Sequence, residues 1–354
     1  MISRRSLTRT NAVVAAVVVL LLVLPAFGSD FFVRFIMTQT LILGLMAATI
    51  VFLTAYGGMI SLAQLLLAGV AGFMFGNAAL SEGARGLNLG LSPWVAVVFA
   101  LAVTTVVAFL LGALASRTTG IYFLMLTLVY GVIGYTVFAQ VVTISGPSGI
   151  TSIVAPEPFT EPVNLYYAAL VLSVLAYIAF RAIGRTNFGL AMQGVRDDPI
   201  RMSSLGFNVA LHRTLAFTLG GLVAGVAGLL NVWWRKQIDP ASINIGPTLA
   251  ILIIAVIGGI SYFEGAWLGA LVYVLLNTYT KSIPLIDQIG LTPDRFNTVI
   301  GLMVLLIMVL SPEGLAGILE RLSRGRGLGK PTQHSVEPPT TSTSPVRTGP
   351  GGLQ

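Results

Sequence analysis

The chain has 354 residues, 55% of them hydrophobic and only 9% charged, against roughly 25% charged in a soluble domain. That balance excludes a water-soluble body and leaves the bilayer as the solvent for most of the chain. The net charge is +7, yet no stretch interleaves its cations with aromatics, so nucleic acid is not an expected partner. Cysteine is absent, and the histidines His212 and His334 stand far apart. Disulfides, thiolate metal sites, cysteine nucleophiles and a resident metal or other cofactor are therefore not expected.

The N-terminal residues 1–11 carry Arg4, Arg5 and Arg9 and precede a first apolar run at 12–28. Pro25-Ala26-Phe27-Gly28 before Ser29 imitates a secretory cleavage site. The run is at the long end for a signal, and we read it as a retained first helix; cleavage would leave the remaining topology unchanged. Further apolar segments follow at 32–55, 59–80, 93–115, 121–143, 163–183, 213–234, 247–260, 264–280 and 296–311.

Gly69, Gly72 and Gly76 punctuate 59–80 and make it a candidate for irregular backbone, which a membrane tolerates only where protein or a watery cavity surrounds it. Segments 247–260 and 264–280 are short, and read either as two helices with a tight turn or as one broken hairpin that does not fully cross. Gly72-x-x-x-Gly76 and Gly265-x-x-x-Gly269 have the spacing of close helix packing. The expected fold is an all-α polytopic membrane protein of about 8–10 transmembrane helices over 12–311, with one short cytoplasmic two-helix segment at 184–212. Residues 312–354 form a cytoplasmic tail whose proline- and threonine-rich part, 331–354, is expected to be disordered.

With the N-terminus inside, fourteen of the 20 basic residues fall on the cytoplasmic side, among them Arg117, Arg181, Arg185, Arg196, Arg201 and Arg213. Arg34, Arg85, Arg235, Lys236, Lys281 and Arg295 fall outside, and this bias is the expected one. Both termini are then cytoplasmic. Outside, Ser145 to Pro162 carries four prolines and two acids and is expected to be a fixed surface loop. Trp233-Trp234 beside Arg235-Lys236 reads as membrane-belt aromatics.

The long polar interruption runs from Arg181 to Arg213. Thr186 or Asn187 can cap a first short helix, Asp198-Pro199 starts a second, and Gly206 can end it. Leu190, Met192, Val195, Ile200, Met202 and Leu205 would then be exposed as an adhesive knob. The bland alternative is an amphipathic loop lying on the bilayer; the acidic pair Asp197-Asp198 in its middle favours docking of a partner.

The run Phe188-Gly189-Leu190-Ala191, Val195-Arg196-Asp197-Asp198, Leu205-Gly206-Phe207-Asn208 resembles the cytoplasmic loop of bacterial ABC importer permeases of the branched-chain amino-acid type. Other landmarks occur in the same order: Tyr56-Gly57-Gly58-Met59-Ile60-Ser61-Leu62-Ala63-Gln64, the run from Gly120 to Leu128, Ser145-Gly146-Pro147-Ser148-Gly149-Ile150, Ala224 to Gly228, Gly258-Gly259-Ile260-Ser261 and Ser311 to Leu315. The similarity covers roughly 35–320, and Gly120-Ile121-Tyr122-Phe123-Leu124-Met125-Leu126-Thr127 looks like the M-type subunit. Two departures stand out: Ala63-Gln64 where members often carry Gly-His, and Tyr262-Phe263-Glu264 where small residues are usual.

The resemblance implies a bacterial inner-membrane subunit that is not itself an enzyme. Its implied partners are cytoplasmic ATPase subunits, a second permease subunit, an extracytoplasmic solute-binding protein and membrane lipid. It implies import of a small solute, first of all branched-chain or related amino acids. Phe188, Gly189, Leu190, Val195, Arg196, Asp197, Asp198, Leu205 and Gly206 would couple to the ATPase. Consistently, no phosphate-binding Gly-x-x-x-x-Gly-Lys-Ser/Thr occurs; Gly325 to Lys330 has one residue too few and is followed by Pro331.

For the solute path, polar residues within the spans are the candidates, although serines and threonines there often only bond the backbone. Ser61, Gln64, Thr127 and Tyr130 are singled out. A secondary transporter coupled to ions is the alternative, and it would recruit acids within spans. Only Glu264, at the turn between two short segments, is ambiguous in that respect.

Overall fold

The computed structural model describes residues 16–25, 31–79, 89–146, 149–280, 301 and 314–317. The apolar runs fold as helices, because a chain in lipid must satisfy its backbone within each segment. In chain order these are α1 (Ala16–Pro25), α2 (Phe32–Gly57, opening with a π-helical turn over Phe32–Met37) and α3 (Gln64–Ala79). Then come α4 (Pro93–Ala115), α5 (Ile121–Gln140), the short α6 (Val142–Ser145) and α7 (Pro162–Ile183). The polar segment forms α8 (Asn187–Asp197) and α9 (Pro199–Ser204), followed by α10 (Val209–Arg235), α11 (Ile245–Gly258) and α12 (Phe263–Thr280). The strands β1 (Ile150–Thr151) and β2 (Gln237–Ile238) pair antiparallel with Ile150 opposite Ile238.

Among the described residues five helices, α2, α4, α5, α7 and α10, are long and apolar enough to cross a membrane, and α1 and α3 are shorter apolar helices. Helices α11 and α12 are bent by 118° across their break, the geometry of a broken span or a re-entrant loop. Gly265 and Gly269 face the backbone of Gly258 and Ile254, which confirms the packing role of that glycine pair. The predicted span 296–311, apart from Gly301, and the tail 331–354 lie outside the described residues.

Helix α2 is buried around most of its circumference from Thr38 to Leu53, as expected of a helix apolar all round. Helix α10 packs against α2, α3, α4 and α7 and is the hub of the bundle. Glycines and alanines let its backbone come close to its neighbours: a side chain at Gly228 would collide with the carbonyl of Ala68 on α3. On α4 the buried residues are Ala96, Ala100, Thr104, Ala108, Gly112 and Ala115, a stripe of small side chains one turn apart. Ala108 and Thr104 lie against Gly221 and Gly225 of α10, the close approach that drives helix association where lipid competes for larger apolar groups. Helix α5 buries only the stripe Phe123, Thr127, Gly131 and Phe138.

Two predicted boundaries move. The span expected to begin at residue 59 becomes helical only at Gln64, because Gly58 closes α2 in the left-handed conformation (φ 63°) and the chain runs irregularly to Ala63. Helix α10 begins at Val209, not Arg213, because the Asn208 side chain caps it by accepting from the Leu211 amide at 3.0 Å.

The bundle has two distinct ends. At one, α8 and α9 cover the C-terminal end of α2 and the N-terminal end of α10. At the other, β1 and β2 close over α3, with Ile150 and Ile153 against Gly76 and Ile238 against Gly72.

Candidate functional site

The polar segment folds as its local signals require. The Thr186 hydroxyl caps α8 by accepting from the Gly189 amide at 3.3 Å, and the Asp198 carboxylate caps α9 by accepting from the Arg201 amide at 2.9 Å. Pro199 occupies the first turn of α9. Gly206, with φ 87°, ends it: the Gly206 amide donates to Ser203 O at 3.0 Å and Phe207 to Met202 O at 3.1 Å.

The inward face of α8 is Gly189, Ala191, Met192 and Val195, all buried. This corrects the expectation that Met192 and Val195 are exposed. Both lie on the α8 stripe that covers the end of α2, and the Met192 methyl approaches Gly57. Met202 is half-buried against Gly194. The outward apolar face is smaller than expected: Leu190, Ile200 and Leu205 are 57%, 79% and 66% exposed.

The remaining members of the predicted constellation mostly hold the segment in place. Phe188 stacks on His212 of α10 with ring centres 5.6 Å apart, and Phe207 meets the same ring edge-on at 5.8 Å. Gly189 lies against the Ile183 carbonyl, where no side chain would fit. Arg196 donates from Nε to Asp197 at 2.9 Å and from its guanidinium to the Ala55 carbonyl on α2. Gln193 donates to the carbonyls of Gly184 and Gly189 at 3.0 and 3.2 Å. The segment is thus fastened to α2, α7 and α10.

Three of the four residues predicted for the solute path, Ser61, Gln64 and Thr127, meet at the irregular stretch before α3. Thr127 Oγ1 accepts from the Leu62 amide at 3.1 Å and donates to Leu124 O at 3.0 Å. Ser61 is fully buried and accepts from Gln64 Nε2 at 3.4 Å. Tyr130 lies one turn beyond Thr127 on α5. The Gln64 Oε1 and the Tyr130 hydroxyl are buried with no hydrogen-bond partner. Gln64 Oε1 faces Gly220 of α10. Buried polar atoms without partners are costly and uncommon, and Gln64 directly follows the non-helical backbone of residues 58–63.

Glu264, at the start of α12, is engaged rather than free. Tyr177 of α7 donates to its carboxylate at 2.6 Å, Arg181 lies 3.6 Å from it, and Arg181 also donates to the Tyr177 hydroxyl. Among the described residues no group of three or more His, Asp or Glu side chains could hold a metal. Sequence reasoning missed His212, the Ala55 carbonyl and the Tyr177–Arg181 pair. The four-residue spacing of Tyr177 and Arg181 was the one local signal available for them.

The profile of the family described as branched-chain amino acid transport system / permease component matches residues 32–309. The chain belongs to this family. These permeases are subunits of transport systems and not enzymes, and the fold is that of a multi-pass membrane protein. The permease is 26% identical over 284 residues to the high-affinity branched-chain amino acid transport system permease protein LivM of Salmonella typhimurium, covering 72% of this chain and 64% of LivM. The chain thus spans less than two thirds of that relative's length. It is also 26% identical over 315 residues to the autoinducer 2 import system permease protein LsrC of Escherichia coli, covering 86% of this chain and 87% of LsrC. A probable branched-chain permease, LivH of Methanocaldococcus jannaschii, is 24% identical over 156 residues, 44% of this chain and 48% of LivH. No solved structure matches the chain.

Proposed function

We propose that this permease is the translocation subunit of an ATP-driven importer in a bacterial inner membrane, with α8–α9 as the seat of a cytoplasmic ATPase. The observation that carries this reading is the two-sided α8–α9 segment: an inner face fastened to α2, α7 and α10, and an outer face that leaves Leu190, Ile200 and Leu205 exposed. Closure of an ATPase pair on that outer face would shift the ends of the three helices and open the buried stretch around Ser61, Gln64, Thr127 and Tyr130 to one side or the other. Both termini are cytoplasmic in this reading. A second permease completes the pathway, and an extracytoplasmic binding protein delivers the solute.

The solute is a branched-chain or related amino acid, in line with the likeness to LivM. A second reading, a sugar-like signal such as autoinducer 2, is favoured by the likeness to LsrC over most of both chains. Against ion-coupled transport stands the pairing of Glu264 with Arg181 and Tyr177.

The test is isolation from native membranes in mild detergent with mass-spectrometric identification of co-purifying chains, for the wild type and for Ile200→Glu/Leu205→Glu. An ATPase and a second permease should accompany the wild type, and the ATPase should be lost from the double variant. A lone chain under all conditions would overturn the reading. Uptake of labelled leucine, isoleucine, valine and autoinducer 2 into vesicles carrying the assembled complex separates the two solutes.

A further inference from the structure

The break between α11 and α12 lies at the same end of the bundle as α8–α9. Tyr56, in the last turn of α2, sets its ring directly against Gly184, where α7 gives way to α8. The same ring lies 5.4 Å from that of Phe263 at the start of α12. Phe263 also stacks on Phe180 of α7 at 6.0 Å, and Trp267 of α12 meets Tyr177 of α7 edge-on at 6.2 Å. Among these rings stand three polar side chains. Tyr177 donates to the Glu264 carboxylate at 2.6 Å, Arg181 donates to the Tyr177 hydroxyl, and Arg181 lies 3.6 Å from Glu264.

The three groups close a triangle: the tyrosine accepts from the cation, donates to the anion, and the ion pair joins the two. The Arg181 and Glu264 side chains are only 22% and 33% exposed, so water and salt screen them less than an open surface pair. Ring contacts hold two helices together but let them slide, whereas charge-assisted hydrogen bonds also fix direction.

The places of the two charges in the chain give the triangle a task. Gly259, with φ 109°, ends α11, and the two helices meet at 118°. Beyond such a break the direction of α12 is set by its contacts, and Glu264 lies in its first turn. Arg181 lies in the last turn of α7, and the Gly184 carbonyl just beyond it accepts from Gln193 of α8 at 3.0 Å. The triangle therefore joins α12 to the corner from which the α8–α9 segment departs.

We propose that Glu264 is a positioning residue: through Tyr177 and Arg181 it ties the start of α12 to the α7–α8 corner, so that the α11–α12 pair moves with the α8–α9 segment. This role rests on the reading of α8–α9 as an ATPase seat and names the element that the seat would move. The tie itself is measured on this chain alone, so the two can fail separately.

The chain has no cysteine, so spin labels attach only where they are placed: Ala182→Cys at the end of α7 and Ser261→Cys in the turn before α12, both exposed. Low-temperature dipolar broadening of the full purified chain in nanodiscs should report one narrow distance. Glu264→Ala should spread it, Tyr177→Phe should spread it less, and the charge-reversed Arg181→Glu/Glu264→Arg should narrow it again. In vesicles carrying the assembled complex, labelled leucine or autoinducer 2 taken up per ATP hydrolysed should fall about ten-fold in Glu264→Ala. ATP hydrolysis should continue there, and the reversed pair should recover the uptake. A distance unchanged in both Glu264→Ala and Tyr177→Phe would overturn the tie. A spread distance with full uptake per ATP would overturn its part in coupling. Wild-type vesicles without ATP-driven uptake would overturn the coupling role together with the importer reading, and the label distances would still decide the tie.

Discussion

Arg196 on α8 donates a hydrogen bond to the main-chain carbonyl of Ala55, in the last turn of α2. Carbonyls in that turn have no partner within the helix, and a cation is favourable at the negative end of the helix dipole. The arginine that looked like a handle for a partner is therefore also a C-terminal cap for the deeply buried α2. Arg196→Ala should cost about 1 kcal/mol in thermal unfolding of the purified chain. Asp197→Ala, which removes only an exposed ion pair, should cost less than about 0.5 kcal/mol. Equal losses would mean that Arg196 acts through Asp197 and not through Ala55.

Asp198 has a purely local task in this structure, the cap of α9. Asparagine caps about as well as aspartate, so Asp198→Asn should keep the amide of Arg201 protected in hydrogen exchange. Asp198→Ala should lower that protection by about 1 kcal/mol. If the asparagine variant loses protection too, the carboxylate charge matters beyond its cap.

Thr127 holds the irregular stretch before α3 by accepting from the buried Leu62 amide. Thr127→Val keeps the shape and orphans that amide, at a cost of about 1–3 kcal/mol in a melting experiment. Thr127→Ser should restore most of it. A valine variant as stable as wild type would show that the Leu62 amide finds another partner.

Gly228→Ala places a methyl group against the Ala68 carbonyl and should separate α10 from α3, with a loss of more than about 2 kcal/mol. Gly131→Ala on α5 meets nothing within 4 Å. It should be neutral or stabilising by about 0.5–1 kcal/mol, because alanine is the better helix former. Comparing the two melting temperatures tests whether α10 is the hub of the bundle.

Glu264 would be the coupling acid if this chain were an ion-driven transporter. In vesicles carrying the assembled complex, uptake should require ATP and survive a protonophore, and Glu264→Gln should keep that ATP dependence. Uptake that collapses with the proton gradient, in wild type but not in Glu264→Gln, would restore the ion-coupled model.

Several features were legible in the residues themselves because their causes are local. Thr186, Asp198 and Gly206 act on amides and carbonyls within four residues, so the caps and the end of α9 fall where they were expected. The glycine pair Gly265 and Gly269 likewise lies at a helix contact, as its spacing required. The small-residue stripe of α4 was also there to be read, as a repeat of Ala, Thr and Gly every four residues. It was obscured by the uniformly high hydropathy around it.

The sequence by itself determined that this chain is a helical membrane protein, where its polar segment lies, and where the short helices of that segment start and stop. Backbone satisfaction in lipid and capping depend on composition and near neighbours, and both can be read along one dimension. Only the tertiary structure decided which faces are inside. Lipid and protein core are equally apolar, so hydropathy cannot separate the buried stripe of α5 from its exposed sides. Met192 and Val195 turned inward, and Arg196 reached Ala55, because α8 lies across the end of α2. That contact joins residues far apart in the chain and exists only once the helices have packed.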